Sequence, residues 1–192
     1  MTQDLYKTVT SHWVAPTEFP KIEGRIAIDL ETCDPELIKH GPGWPTKKGK
    51  VIGIAIATAS FKAYYPIAHD GGGNMDEKKI VKYVKSICDD ETIEKIFHNA
   101  QYDIGWLWTL GIDVKGKIHD TMVAAALIDE NRYSYTLNSI VHEYLGEFKN
   151  EQKLKEAAEA FGVDPKSEMY KLPAEFVGEY AEADADLTYK LH

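Results

Sequence analysis

"RIAIDLETCD" (Arg25–Asp34) sets two acids, Asp29 and Glu31, near the end of an apolar run that reads as a buried β-strand. Side chains alternate across a strand, so Asp29 and Glu31 share one face with Ala27, while Ile26, Ile28 and Leu30 take the other. Carboxylates held that close repel, and each is driven to protonate unless a cation or strong donors keep it ionised. The pair asks for a metal ion.

Around this strand the chain alternates between two periodicities. "VIGIAIATAS" (51–60) is apolar on both faces, as a central strand is, and "FKAYYPIA" (61–68) reads as its hairpin partner. The intervening "HGPGWPTKKGK" (40–50) has the glycines, prolines and lysines of a mobile surface loop. Ile80, Val81, Val84 and Ile87 then recur at helical spacing within 75–90. "EKIFHNA" (94–100) predicts a short strand, 101–110 a helix closed by Gly111, "VKGKIHD" (114–120) a fifth strand and 121–127 a helix. Leu137, Ile140, Val141, Tyr144 and Leu145 form one stripe of a helix over 136–145, which Gly146 ends. A charged helix over 151–161 and a last helix from near Pro173 complete the pattern, and residues 1–24, with Pro16 and Pro20, read as an irregular lead-in. Strands first, then strands alternating with helices, describe an α/β fold: a mixed sheet with helices on its faces.

At 192 residues, without repeats or a linker, the chain reads as one domain, 1–192. The net charge of −9 argues against gripping nucleic acid by bulk electrostatics, though bound cations and a few lysines suffice to hold substrate phosphates. A polar amino terminus and the lack of a long apolar run predict neither a signal peptide nor a membrane span, hence a cytoplasmic protein. Cys33 and Cys88 lack the spacing of a zinc site or a disulfide framework.

Two further acids are placed inward by helical geometry. In "LPAEFVGEYAEADADLTYKLH" (172–192), Val177, Tyr180, Asp184, Leu187 and Leu191 fall on one stripe, while Glu182 and Asp186 lie on a more polar side. Asp184 is an acid on an apolar stripe, one turn after a tyrosine, and a charge there needs a partner. "HNAQYDIGWLWTL" likewise puts Asp103 on the stripe of Leu107 and Leu110, one turn after Asn99. Any one such acid is more simply a hydrogen-bonded structural group. Asp120, at a strand-to-helix junction, reads as an N-cap.

"IDLET", "HNAQYD" and "YAEADADLT" together resemble the three motifs of the 3'-to-5' exonucleases with four acids, in the tyrosine subclass: Asp-x-Glu, Asn-x-x-x-Asp, then Tyr-x-x-x-Asp. The likeness runs from about residue 25 to the end and is strongest to the proofreading domain of family A DNA polymerases, bacteriophage ones especially. It implies a ribonuclease H-like fold, a mixed five-stranded sheet whose first three strands are antiparallel and the rest parallel, with helices on both faces. It also implies two divalent cations, Mg²⁺ or Mn²⁺, held by Asp29, Glu31, Asp103 and Asp184, since oxygen-only ligands select hard ions. Asp29 would bridge both ions, Glu31 and Asp184 complete the first site and Asp103 serve the second. Tyr180 would align the attacking water. Its ordinary pKa of about 10 makes the phenol a poor base.

By the same resemblance Thr32 and Asn99 contact the 3'-terminal nucleotides, with a strand-end hydrogen bond and a turn as their structural alternatives. Lys47, Lys48 and Lys50 are candidates for phosphate contacts and Trp44 for a stacking platform, whereas a solvated loop is the plainer role. The family's wedging leucine has no clear match, because Pro35 follows Asp34 and Leu37 comes later. His98 and His119 default to packing or hydrogen bonds. The expected activity is release of nucleoside 5'-monophosphates from single-stranded or frayed DNA 3' ends, as in replication proofreading. A ribonuclease D-like exoribonuclease and an inactive, nucleic-acid-binding or polymerase-bracing domain are the alternatives; in family A polymerases a polymerase domain follows the last helix, so by this resemblance the chain is either a piece of such a polymerase or a stand-alone relative.

Overall fold

The central strand is the one that carries the acid pair. The computed structural model describes residues 9–192, so residues 1–8 of the expected lead-in lie outside the described residues. Strands β1 (Arg25–Cys33), β2 (Lys50–Ala57), β3 (Lys62–Pro66), β4 (Glu94–Phe97) and β5 (Ile118–Asp120) form one sheet in the order β3-β2-β1-β4-β5. β1 pairs antiparallel with β2, and β2 with β3, while β1–β4 and β4–β5 are parallel. This is the mixed, ribonuclease H-like α/β architecture expected from the motifs.

The helices are α1 (Leu37–His40), α2 (Glu77–Asp89), α3 (Ala100–Thr109), α4 (Thr121–Ile128), α5 (Leu137–Leu145), α6 (Gln152–Phe161) and α7 (Gly178–Leu191). Strand alternation divides the core in two. Ile26, Ile28 and Leu30 join Ile80, Val84 and Ile87 of α2 and Trp106 and Leu107 of α3 on one face. Ala27, Ala55 and Ala57 join Ala181 and Ala185 of α7, and Leu154 and Ala158 of α6, on the other. Small residues on both sides let α7 lie close over β1 and β2. That closeness brings a helical carboxylate down to a strand.

Two local expectations are corrected. The last helix does not start near Pro173, whose backbone is extended (ψ 140°); a 3-10 turn at Ala174–Phe176 precedes Gly178. The segment over 40–50 is not a free loop: Gly43 N–H donates to Asp34 Oδ2 at 3.1 Å, a 3-10 turn forms at Trp44–Thr46, and Trp44 lies across Gly105 of α3. Part of the lead-in is also integral, since Trp13 packs on Gly178, where a Cβ would fall 2.0 Å from its ring. Among the described residues no helix is long and apolar enough to cross a membrane.

Candidate metal centre

Asp29 and Glu31 stand near the carboxyl end of β1, opposite Ala55 and Gly53 of β2, and the register shifts between Glu31 and Thr32. A bulge there bends the strand and re-aims Thr32 and Cys33 beyond it. Asp184, 5% exposed, comes from α7. One oxygen of each of Asp29, Glu31 and Asp184 lies within 4.8 Å of the others.

Asp103 comes from the first turn of α3, which starts directly after β4 because Asn99 takes a left-handed conformation (φ 74°, ψ 56°). The carboxylate of Asp120 fixes that turn, accepting from the amides of Asn99 and Ala100 at 3.1 and 2.8 Å, and from those of Met122 and Val123 at 2.9 and 3.3 Å. Asp120 thus caps α4 as its sequence position predicts, and braces a second helix start besides; a cap of this kind stabilises by about 1 kcal/mol. Asp103 is 4% exposed and feels the charges of Asp29 and Glu31, yet stands outside the tight group of three.

Crowding and burial act together on these acids. Burial, then the neighbouring Asp184, pushes the Asp29 carboxyl up to about 7. Burial raises Glu31 well above the usual carboxylate range, with Asp29 and Asp184 adding to it, and raises Asp103 likewise, with Asp29, Glu31 and Asp120 adding. Asp184 is raised by burial but drawn back by Lys149. Three or four carboxyls that resist ionisation in one pocket fit a hard divalent cation, which restores their charge. A second observation agrees: Asp184 Oδ1 is buried without a hydrogen-bond partner, as an oxygen awaiting a ligand would be.

The other oxygen of Asp184 is engaged by a residue that the motifs do not mark. Lys149, between α5 and α6, donates to Asp184 Oδ2 at 2.6 Å and to the Tyr180 hydroxyl at 3.1 Å. Nothing in "GEFKNEQK" separates this lysine from the other basic residues of the chain. Tyr180 is half-buried beside it, and burial followed by the Asp184 charge pushes its phenol above its ordinary range. The hydroxyl therefore keeps its proton at neutral pH.

Thr32 Oγ1 lies 2.8 Å from the hydroxyl of Tyr102, which donates to Asp34 Oδ2 at 3.1 Å. Tyr102 and Asp34 are further residues missed in the sequence, where only the neighbouring motif acids Glu31 and Asp103 stood out. Trp44 meets Trp108 edge-on (5.5 Å, 78°), with its indole N–H buried and unpartnered, so packing on α3 occupies part of the ring. Lys47 is exposed, Lys48 pairs with Glu36 at 2.7 Å and Lys50 with Asp70 at 2.6 Å. His98 contacts Thr121 Oγ1 and Tyr135 O, and His119 pairs with Glu94, in keeping with structural roles. Glu182, placed by periodicity on the polar side of its helix, is instead half-buried, accepting from Trp13 Nε1 at 2.8 Å and Tyr64 N–H at 3.2 Å. The lead-in crosses the helix there, which periodicity within the helix does not reveal.

Fold and site together define an α/β protein with a carboxylate centre suited to a hard cation. More particularly, the chain belongs to the 3'-5' exonuclease family of family A DNA polymerases, whose model, described as 3'-5' exonuclease, matches residues 17–192. It is 38% identical over 191 residues to a DNA-directed DNA polymerase of Pseudomonas phage M6, covering 95% of this chain and 29% of that protein. It is 26% identical over 175 residues to DNA polymerase I of Pseudomonas aeruginosa, covering 87% of this chain and 18% of that one. The chain thus spans less than a third of the length of either relative. In fold it is similar to RNase D of Trypanosoma brucei (TM-score 0.64, 21% identity, 88% of this chain and 56% of that). Brucella melitensis NrnC with bound Mg²⁺ is also similar (TM-score 0.57, 17% identity, 88% and 70%).

Proposed function

We propose that the chain hydrolyses the terminal phosphodiester of single-stranded or frayed DNA 3' ends, releasing nucleoside 5'-monophosphates, with two divalent cations, Mg²⁺ or Mn²⁺, as cofactors. The observation that carries this reading is the convergence of Asp29, Glu31 and Asp184 within 4.8 Å, with Asp184 Oδ1 left unpartnered. Asp29, Glu31 and Asp184 would hold the first ion, and Asp103, set further off, would serve the second. Bound ions of this kind neutralise phosphate charge and lower the pKa of water. Tyr180, which retains its proton, orients water as a donor and acceptor and is no base. Thr32 and Asn99 lie beside the carboxylates on β1 and at the start of α3, where they would meet the terminal nucleotides; Trp44, Lys47 and Lys48 lie farther out on the chain segment that Asp34 fastens.

That the relatives are DNA polymerases supports DNA as substrate and proofreading during replication in a host cytoplasm as the setting, with a polymerase domain as partner. The test is a time course with 5'-labelled DNA and RNA oligonucleotides of one sequence. A one-nucleotide ladder on DNA, dependent on Mg²⁺ or Mn²⁺ and absent in Asp29→Ala/Glu31→Ala, is expected. Preference for RNA would move the assignment to an exoribonuclease, and binding without product would make the domain a brace.

A further inference from the structure

Lys149 stands where a cation is wanted and belongs to no motif. Its side chain is 11% exposed, its Nζ lies 2.6 Å from Asp184 Oδ2 and 3.1 Å from the Tyr180 hydroxyl, and it sits 4.6 Å from the centroid of the Tyr180 ring. Burying a long, strongly hydrated side chain costs desolvation and rotamer entropy, so its place needs a compensating gain. The gain is electrostatic: Lys149 Nζ pairs with Asp184 at 2.6 Å, and an oxygen of Asp184 lies within 4.8 Å of one on each of Asp29 and Glu31, so one positive charge faces the whole carboxylate group. It uses only one oxygen of Asp184 and leaves the other free.

We propose that Lys149 is the built-in counter-ion of the metal-free centre, holding Asp184 and Tyr180 together and offsetting carboxylate repulsion until a divalent cation binds. Once the ion is present the two positive charges oppose each other. The proposal rests on the metal centre assigned to the four acids and gives it a loading device. Its consequence has a definite sign: losing the lysine's charge weakens the metal-free fold and tightens metal binding. A lysine that merely supported the loaded centre would do the reverse to affinity.

The test compares wild type, Lys149→Met and Lys149→Arg by thermal melting in EDTA and in saturating Mn²⁺, and by calorimetric titration with Mn²⁺ at about pH 8, above the ordinary carboxylate range. In EDTA, Lys149→Met should melt about 6 to 20 °C below wild type, as expected when one partner of a buried pair is removed from a domain of this size. Its Mn²⁺ dissociation constant should fall about tenfold, from the lost repulsion, and the melting gap should narrow with Mn²⁺. Lys149→Arg should follow wild type. If Lys149→Met folds only with Mn²⁺, the proposal stands. An unchanged melting point in EDTA, weaker Mn²⁺ binding, or failure to fold even with Mn²⁺ overturns it. Mn²⁺ binding without nuclease activity in the wild type would sink the functional reading alone.

Discussion

The hydroxyl of Tyr102 lies 2.8 Å from Thr32 Oγ1, joining the last residue of the Asp-x-Glu-Thr run to the helix that carries Asp103. The same hydroxyl donates to Asp34 Oδ2, which also accepts from Gly43 N–H, so strand end, helix and the 41–50 segment share one polar junction. Replacing Tyr102 by Phe removes the donor to Asp34 and the partner of Thr32. Denaturant unfolding should show a loss of about 1 to 2 kcal/mol, the usual cost of a part-buried hydrogen-bonding group. If Thr32 orients the terminal nucleotide, KM for DNA should rise by more than kcat falls.

Acid should stabilise the metal-free protein over a defined window. Asp29 titrates at about 7 in the folded chain against an ordinary 3.8, so the folded state holds this proton more tightly than the unfolded one. Stability from that proton is complete below 3.8 and is lost as pH climbs through about 7. Glu31 and Asp103 shift in the same direction. Melting in EDTA should therefore decline as pH rises through this range, and saturating Mg²⁺ should flatten the slope. A melting point that rises with pH in EDTA would contradict the crowding of these acids.

Gly105 is where Trp44 meets α3, and a Cβ there would lie 2.3 Å from the indole. Gly105→Ala should displace the ring and cost about 1 to 3 kcal/mol, as overpacking does. The sharper readout is proteolysis. Freed from α3, the segment bearing Lys47 and Lys48 should be cut by trypsin in the variant at concentrations that leave wild type intact.

Trp13 donates to Glu182 at 2.8 Å, and burial raises that carboxyl while the indole draws it down. Trp13→Phe keeps an aromatic ring in the segment and removes the N–H. Glu182 would then keep only the Tyr64 amide, and unfolding should cost about 1 to 2 kcal/mol less than in wild type. Glu182→Gln in that background should recover part of the loss, because the neutral amide needs no charge partner.

The acids at Asp29, Glu31, Asp103 and Asp184 were legible because strand and helix periods are local: alternation puts Asp29 with Glu31, and steps of three and four put Asp184 inward. The mixed sheet, antiparallel over its first three strands and parallel after, was legible through the motif resemblance, and Asp120 through its place at a helix start. Lys149, Tyr102 and the Trp13–Glu182 pair were not, because each depends on a partner at least 31 residues away.

The sequence by itself determined the strands and the main helices, the faces of β1, α3 and α7 on which Asp29, Glu31, Asp103 and Asp184 stand, and the family to which the motifs point. Only the tertiary structure decided how the elements meet: the close approach of α7 to β1 across alanines, and the lysine and indole that reach in from other segments. Backbone periodicity is a property of neighbours along the chain, whereas the field at a buried carboxylate is set by whatever packs against it in space.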